Sequence, residues 1–529
     1  VSGCPILVWV AAHVLREIKA PGDRGGARTA SLVGRFGFDL QQLAALPTGI
    51  ACTQAAAGSR SGVVDMRLSV PIVEGRVAAV QGAVAAPQVA AWPGRARTTA
   101  ALMDGAWTAV AGPAAGLHQQ ALAGLAPGSD PMLALSVTLP FCAVHCLCCA
   151  RDIAAGQPTR ALDGYMQQLC SEIHNLAGRI GRRRELLQLH LGGGSANLFS
   201  ESCLLRLMQT LRQHWRIPDD AELSVECDPR RAGWVQLALL HGLGFNEVQF
   251  GVFDLDPQVQ HAIGRLHSSA LIDDACSLAR ACGITTISLA LMVGLPGQTL
   301  AGWRRTLRQV IAMAPARITL ERYRHRPWRT AGQCAIDAHA LPDAAQVHAL
   351  MALSVDELGG VGYRWLGAGL FVLEDDPLSL ALDEGRLRGS LVGHTGQPTM
   401  PLLGVGRGAV SDLDGCLVWN LAASADWGSV VDQGRLPAAL AWQADALAQR
   451  RRAASDHLLC HQQLPAAMLD GALLPVYEAL ARQAPRGSLS RLDDRLVVTA
   501  AGRLVLPGLC AALAGLPADL QLPLPAWLV

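Results

Sequence analysis

The most explicit chemistry in this chain lies in three cysteines within a single short stretch. In "LPFCAVHCLCCARD", residues 139–152, Cys142, Cys146 and Cys149 are spaced C-x3-C-x2-C, with Cys148 between the last two. Thiolates are soft ligands suited to zinc and to iron–sulfur clusters. Structural zinc takes four ligands, usually from paired C-x2-C knuckles, and three thiolates cannot complete such a site alone. His145 lies in the loop as a further donor, but it sits awkwardly between two ligands. Three cysteines on a 4Fe-4S cluster leave one iron open. An open iron can bind a small chelating molecule, and the amine and carboxylate of an amino acid are well suited to it. The competing reading, a set of unrelated buried thiols, does not account for the spacing.

Other polar residues follow at intervals. "LHLGGGSAN" (189–197) contains Gly192, Gly193, Gly194 and Ser195. Glycines let a backbone approach a ligand, and exposed N–H groups bind carboxylates, although tight turns use the same run. Glu226 in "SVECDPR" (224–230) is placed to bind an amine or ribose hydroxyls, or to sit solvated at a sheet rim. Arg265 closes "GFNEVQFGVFDLDPQVQHAIGRLH" (244–267), and its guanidinium can hold a carboxylate with two bonds or end a helix structurally. "MVGLPGQT" (292–299) reads as scaffold: a strand end, a Gly-Pro turn and an N-cap at Thr299, with Leu300, Trp303, Leu307 and Val310 facing the core.

These motifs need a frame. From about 132 to 321 apolar strands alternate with helices, beginning with "LALSVTL" (133–139) and a helix that puts Met166, Leu169, Ile173 and Leu176 on one face. That alternation predicts a parallel sheet. Six units are too few for a closed eight-fold barrel, so the expected fold class is α/β, a partial (β/α)6 barrel. Each motif falls at a strand's C-terminal end, where such folds bind ligands. Residues 1–88, rich in Gly, Ser and Arg, read as a poorly ordered extension, and 89–131 as a helical lead-in to the barrel of 132–330. Residues 331–450 read as a flanking α+β region of helical pattern with a few short strands. Residues 451–529 read as a mainly helical C-terminal domain with a hairpin at "RLDDRLVVTAAGR".

Composition narrows the function classes. A formal net charge of +1 argues against a general nucleic-acid surface, which needs clustered basic charge. No run reaches the roughly 18 apolar residues of a membrane span, and no basic residues precede the apolar "CPILVWVAAHVL" as a secretory signal would require. The odd count of 15 cysteines, mostly scattered singly, fits a reduced, cytoplasmic protein.

Taken together, the motifs resemble the radical S-adenosylmethionine (SAM) family. In particular they resemble the oxygen-independent coproporphyrinogen III dehydrogenases (oxidases) and their haem-chaperone relatives, over about residues 92–529. The resemblance implies that Cys142, Cys146 and Cys149 hold a 4Fe-4S cluster. It also implies that Gly193, Gly194, Ser195, Glu226, Arg265 and Val410 of "PLLGVGRGAVS" (401–411) contact SAM. Cluster and SAM would yield a radical that abstracts hydrogen from a propionate of coproporphyrinogen III, and loss of carbon dioxide and an electron leaves a vinyl group. Two rounds give protoporphyrinogen IX in haem biosynthesis. Implied partners are the tetrapyrrole, its propionates met by candidates Arg322, Arg324 and Arg326, and a reduced electron donor such as flavodoxin or ferredoxin. The protein is expected to be a monomer.

The chain also departs from the family pattern. Cys148 stands where the family has an aromatic, Ser136 for a tyrosine, Thr138 for a histidine, Phe253 for a glutamine and Ala290 for an aspartate. The family's CGC ending is Cys149-Ala150-Arg151, and its GMDHFA segment reads "GAGLFV" (367–372). These losses keep two other readings open, a haem-binding chaperone-like role and a degenerate paralogue with lost or altered activity. The preceding "PGRARTT" (93–99) and the C-terminal domain favour the dehydrogenase.

Overall fold

The computed structural model describes residues 28–39, 61–73, 76–77, 107–109, 114–125 and 132–514, except 181–183, 329, 469–470, 472, 485 and 494. The chain divides into two units. In Val1–Pro93, strand Arg28–Asp39 pairs antiparallel with Ser61–Val73, which also pairs with Arg76–Val77. The rest of the expected extension over 1–88 lies outside the described residues.

The unit Gly94–Val529 is built on one twisted sheet. Its parallel part alternates β1 (Met132–Thr138), α1 (Thr159–Ile180), β2 (Glu185–Gly192), α2 (Glu201–His214), β3 (Glu222–Cys227), α3 (Trp234–Gly242) and β4 (Glu247–Phe253). Then come α4 (Pro257–Ala262), α5 (Ser269–Ala281), β5 (Thr286–Val293), α6 (Leu300–Ala312) and β6 (Arg317–Arg322). Strands β1 to β6 lie side by side in sequence order, as right-handed strand–helix–strand units stack. β5, "TISLALMV", is buried from Ile287 to Val293, the continuous apolar run of a strand covered on both faces.

The helices bury the stripes their spacing predicts. α1 buries Met166, Leu169, Ile173 and Leu176. Side chains of Ser200, Ser268 and Thr299 cap α2, α5 and α6 by accepting N–H bonds from residues three further on. In α6 Trp303, Leu307 and Val310 are buried, but Leu300 is 48% exposed. It opens the helix, before the apolar stripe meets the sheet.

Past α7 (Ala344–Gly359) the structure holds more strand than the helical pattern suggests. β7 (Tyr363–Gly367) and β8 (Leu370–Leu373) extend the sheet antiparallel beyond β6. β9 (Leu402–Val405) returns to the other side and pairs parallel with β1. β10 (Val410–Leu413), β11 (Cys416–Asn420) and β12 (Ala438–Ala444) continue it antiparallel. Among the described residues the sheet runs β7-β8-β6-β5-β4-β3-β2-β1-β9-β10-β11-β12 and ends at Trp107–Ala109. These strands are three to seven residues long, too short for periodicity to show them. Helices Ala446–His461, Leu474–Gln483 and Leu506–Ala514 form a second core around Leu458, Tyr477 and Leu509, with hairpin Leu489–Leu492/Arg495–Val498.

Candidate active site

The cysteine loop leaves the C-terminal end of β1. Its base is closed by a two-residue parallel ladder, Phe141–Cys142 with Ala154–Ala155. Its middle is tied to the end of α4, where the Leu147 N–H donates to the Ile263 carbonyl at 2.9 Å. Buried Gln333 donates to the Cys148 carbonyl at 3.3 Å and accepts from the Arg326 N–H at 2.5 Å, so the loop and the segment after β6 share one bridge.

Each expected ligand has a distinct setting. The Cys142 thiol lies 3.4 Å from the Ser195 hydroxyl. Cys146 is buried and accepts a bond from Arg265 Nη1 at 3.3 Å. Cys149 is half-buried and directs its thiol to the Arg151 carbonyl at 3.9 Å. Burial pushes the Cys142 and Cys149 thiols up, and the neighbouring cysteines add to the effect. Among the described residues no three His, Cys, Asp or Glu converge on a single metal ion. A cluster presents each thiolate with its own iron, so three sulfurs on one loop need no common focus, and the donor set fits. Cys148 differs. It is 1% exposed, packed with Val259, Ile263, Met292, Leu295 and Tyr323, and burial drives its thiol far up. It is an apolar core residue.

The glycine run is constrained by its neighbours. A Cβ on Gly194 would stand 2.4 Å from the Leu139 carbonyl oxygen and 2.5 Å from that of Phe141, and Gly193 has φ +90°. The turn therefore fits against the strand that carries Cys142, and the Ser195 N–H donates to the Phe141 carbonyl at 2.8 Å. Asn197 joins the turn to β3 by two bonds to the Asp228 backbone, at 2.8 and 2.9 Å.

Glu226, at the end of β3, is held by two charged side chains. Arg151 grips both carboxylate oxygens, Nη2 at 3.1 Å from Oε1 and Nη1 on Oε2. His190 Nε2 stands 3.4 Å from Oε1, its ring held by Ser224 at 2.9 Å. Burial would raise the Glu226 carboxyl, but Arg151 and His190 outweigh it and hold it at about 2. Nothing in the local spacing announces Arg151, which lies 75 residues from its partner.

Arg265 is buried. Its Nε donates to the Gly251 carbonyl at 3.1 Å, its guanidinium lies 4.7 Å over the Phe253 ring, and Asp228 stands 4.0 Å away. The residue is thus held between the Cys146 sulfur and the end of β4, and Phe253, at φ 71°, forms the floor beneath it. Val410 opens β10 opposite Trp419, and its backbone packs on Gly404. The loop between them abuts the end of β1. A Cβ on Gly406 would lie 2.6 Å from the Thr138 carbonyl oxygen, and Tyr165 donates to that oxygen at 2.7 Å and accepts from the Arg407 N–H at 3.1 Å. The ends of β1, β2, β3, β4 and β9 therefore meet around the cysteine loop.

Among the described residues no helix is long and apolar enough to cross a membrane. Residues 136–310 match the radical SAM superfamily. The oxygen-independent coproporphyrinogen III oxidase of Pseudomonas aeruginosa is 32% identical over 389 residues, covering 72% of this chain and 84% of that protein. The Escherichia coli protein of the same name is 30% identical with the same coverage. The solved structure of Escherichia coli coproporphyrinogen III oxidase, described as a radical SAM enzyme, superposes with a TM-score of 0.70 at 28% identity, over 77% of this chain and 94% of that one. At this level of likeness across most of both chains, the present protein belongs to the oxygen-independent coproporphyrinogen III oxidases, a family of radical SAM enzymes.

Proposed function

We propose that this chain converts two propionate side chains of coproporphyrinogen III to vinyl groups by oxidative decarboxylation, giving protoporphyrinogen IX. The observation that carries the reading is the cysteine loop at the end of β1, with Arg265 bonded to Cys146 and Ser195 beside Cys142. Cys142, Cys146 and Cys149 would hold the 4Fe-4S cluster. Gly193, Gly194, Ser195, Glu226, Arg265 and Val410 would line the site for SAM. When bound, the two groups supply one-electron reduction and hydrogen-atom abstraction.

The chain's own residues bind, orient and shield. Cys148, Ile263, Met292, Leu295 and Tyr323 form an apolar wall behind the cysteines and keep water from that side. The cationic Arg265 faces Cys146 and offsets thiolate charge.

The substrate is an anion with several carboxylates. Arg322 ends β6, Arg324 and Arg326 follow it, and Gln333 ties the Arg326 backbone to the cysteine loop. None of the three side chains makes an ion pair among the described residues. Burial lowers Arg324 from its ordinary value, and the flanking Arg326 and Arg322 cations lower it further. Arg324 and Arg326 are half-buried and Arg322 is exposed, and crowded cations without a counter-ion are a site for carboxylates. A reduced flavodoxin- or ferredoxin-like donor would supply electrons, and the working form would be a cytoplasmic monomer.

The test is anaerobic reconstitution with iron and sulfide, then dithionite, SAM and coproporphyrinogen III. Protoporphyrinogen IX, with methionine and 5′-deoxyadenosine, is the expected result. A loaded cluster that never cleaves SAM overturns the reading.

A further inference from the structure

We propose that Arg151 is a built-in competitor of SAM, occupying the Glu226 carboxylate in the cofactor-free protein and leaving it when SAM binds. The inference rests on the reading of Glu226 as a cofactor contact.

Three observations carry it. First, Arg151 takes both oxygens of Glu226 in a fork, the strongest arrangement a carboxylate can make with a side chain. Hydroxyl or amine groups of a ligand must share or displace those bonds. Second, the arm has room to move. The Arg151 side chain is 48% exposed, whereas Glu226 is 17% exposed. The carboxylate is fixed at the strand end, with His190 and Ser224 behind it, and the arginine reaches it from the loop. Third, a second carboxylate awaits it. Glu321, near the end of β6, is within electrostatic reach of Arg151 and of Glu226. β3 and β6 are separated by β4 and β5, so Arg151 lies between carboxylates on well-separated strands of the opening where such barrels bind ligands.

The ligand-free state gains most from this contact. A buried carboxylate with only a histidine beside it is costly, and Arg151 relieves that cost until a ligand takes over. Removing the arginine destabilises the free protein while sparing the complex, so SAM should bind more tightly. SAM carries a sulfonium charge of its own, which an unpaired Glu226 favours.

The test is the SAM dissociation constant of anaerobically reconstituted protein, measured by equilibrium dialysis without reductant, at matched iron and sulfide content. R151A should bind SAM about tenfold more tightly than wild type. R151K, which keeps the charge and loses the fork, should fall between. In an E226Q background R151A should have little effect, because the competition has no object. If R151A loads poorly, R151M keeps the apolar stem and serves in its place. Equal or weaker SAM binding by the arginine variants overturns the inference and leaves the cofactor reading standing. Absence of SAM binding by wild type and variants alike, at full cluster content, overturns both.

Discussion

Glu172, in the middle of α1, accepts a hydrogen bond from the Gly406 backbone N–H at 2.7 Å, although the two lie 234 positions apart. Asn420 Nδ2 donates to the same carboxyl group at 2.6 Å and Trp427 Nε1 at 3.2 Å. One buried side chain therefore fixes the loop before β10 against the helix after the cysteine loop. It holds Gly406 against the Thr138 carbonyl at the end of β1.

Burial raises the Glu172 carboxyl to about 7, against the pull of its three donors. A raised carboxyl binds its proton in the folded state where the unfolded chain has lost it. The wild type should therefore lose stability relative to E172Q as pH rises from 4.5, the ordinary value, to about 7, and no further above that. The change is about 3 kcal/mol at most. Chemical denaturation of both proteins across this range checks it. A stability difference independent of pH would contradict the assignment.

The settings set Cys148 apart from the three cysteines proposed as cluster ligands. Alanine at Cys142, Cys146 or Cys149 should abolish stable cluster loading, read as iron and sulfide per chain and as visible absorbance. C148A should load like wild type with only a small loss of stability, because Cys148 packs among apolar side chains. Loss of the cluster in C148A would make it a ligand and break the assignment.

The three cysteines proposed as cluster ligands were legible because their spacing is local, and so were the helix faces and the strand–helix alternation. Cys148 was legible as an exception, and its packing explains why a thiol is tolerated there. The glycine run was legible as special for a different reason from the one the residue type suggests. Gly194 is required by the Leu139 and Phe141 backbones, not by an approaching ligand alone. Arg151–Glu226 and Glu172–Gly406 were not legible. Each joins elements whose proximity depends on strand order, which no local pattern shows. β7 to β12 were legible only as a few short strands, because runs of four to seven residues are too short for a period to place them.

Two glycines should respond in opposite directions to the same methyl group. G194A forces a Cβ to within 2.4 Å of the Leu139 carbonyl oxygen and 2.7 Å of the Phe141 amide nitrogen, so the strand carrying Cys142 must shift. Loss of cluster retention is expected alongside destabilisation. Gly164 is exposed in α1, and its Cβ would meet nothing within 4 Å. G164A should stabilise by about 0.5–1 kcal/mol, since glycine costs that much relative to alanine inside a helix. Urea midpoints and cluster content, measured on both, decide the matter.

Arg324 distinguishes a structural arginine cluster from an anion site. If the cations at and after the end of β6 served the fold, removing the central one would destabilise the protein. If they await carboxylates, removal relieves repulsion from Arg322 and Arg326 and weakens only substrate binding. R324Q should therefore match or exceed wild-type stability and retain full cluster content and SAM affinity. Its KM for coproporphyrinogen III should rise about ten- to a hundredfold, the worth of one charge-assisted bond. Increasing salt should raise KM less in the variant than in wild type, because one screened contact is already gone. An unchanged KM would remove Arg324 from the substrate site.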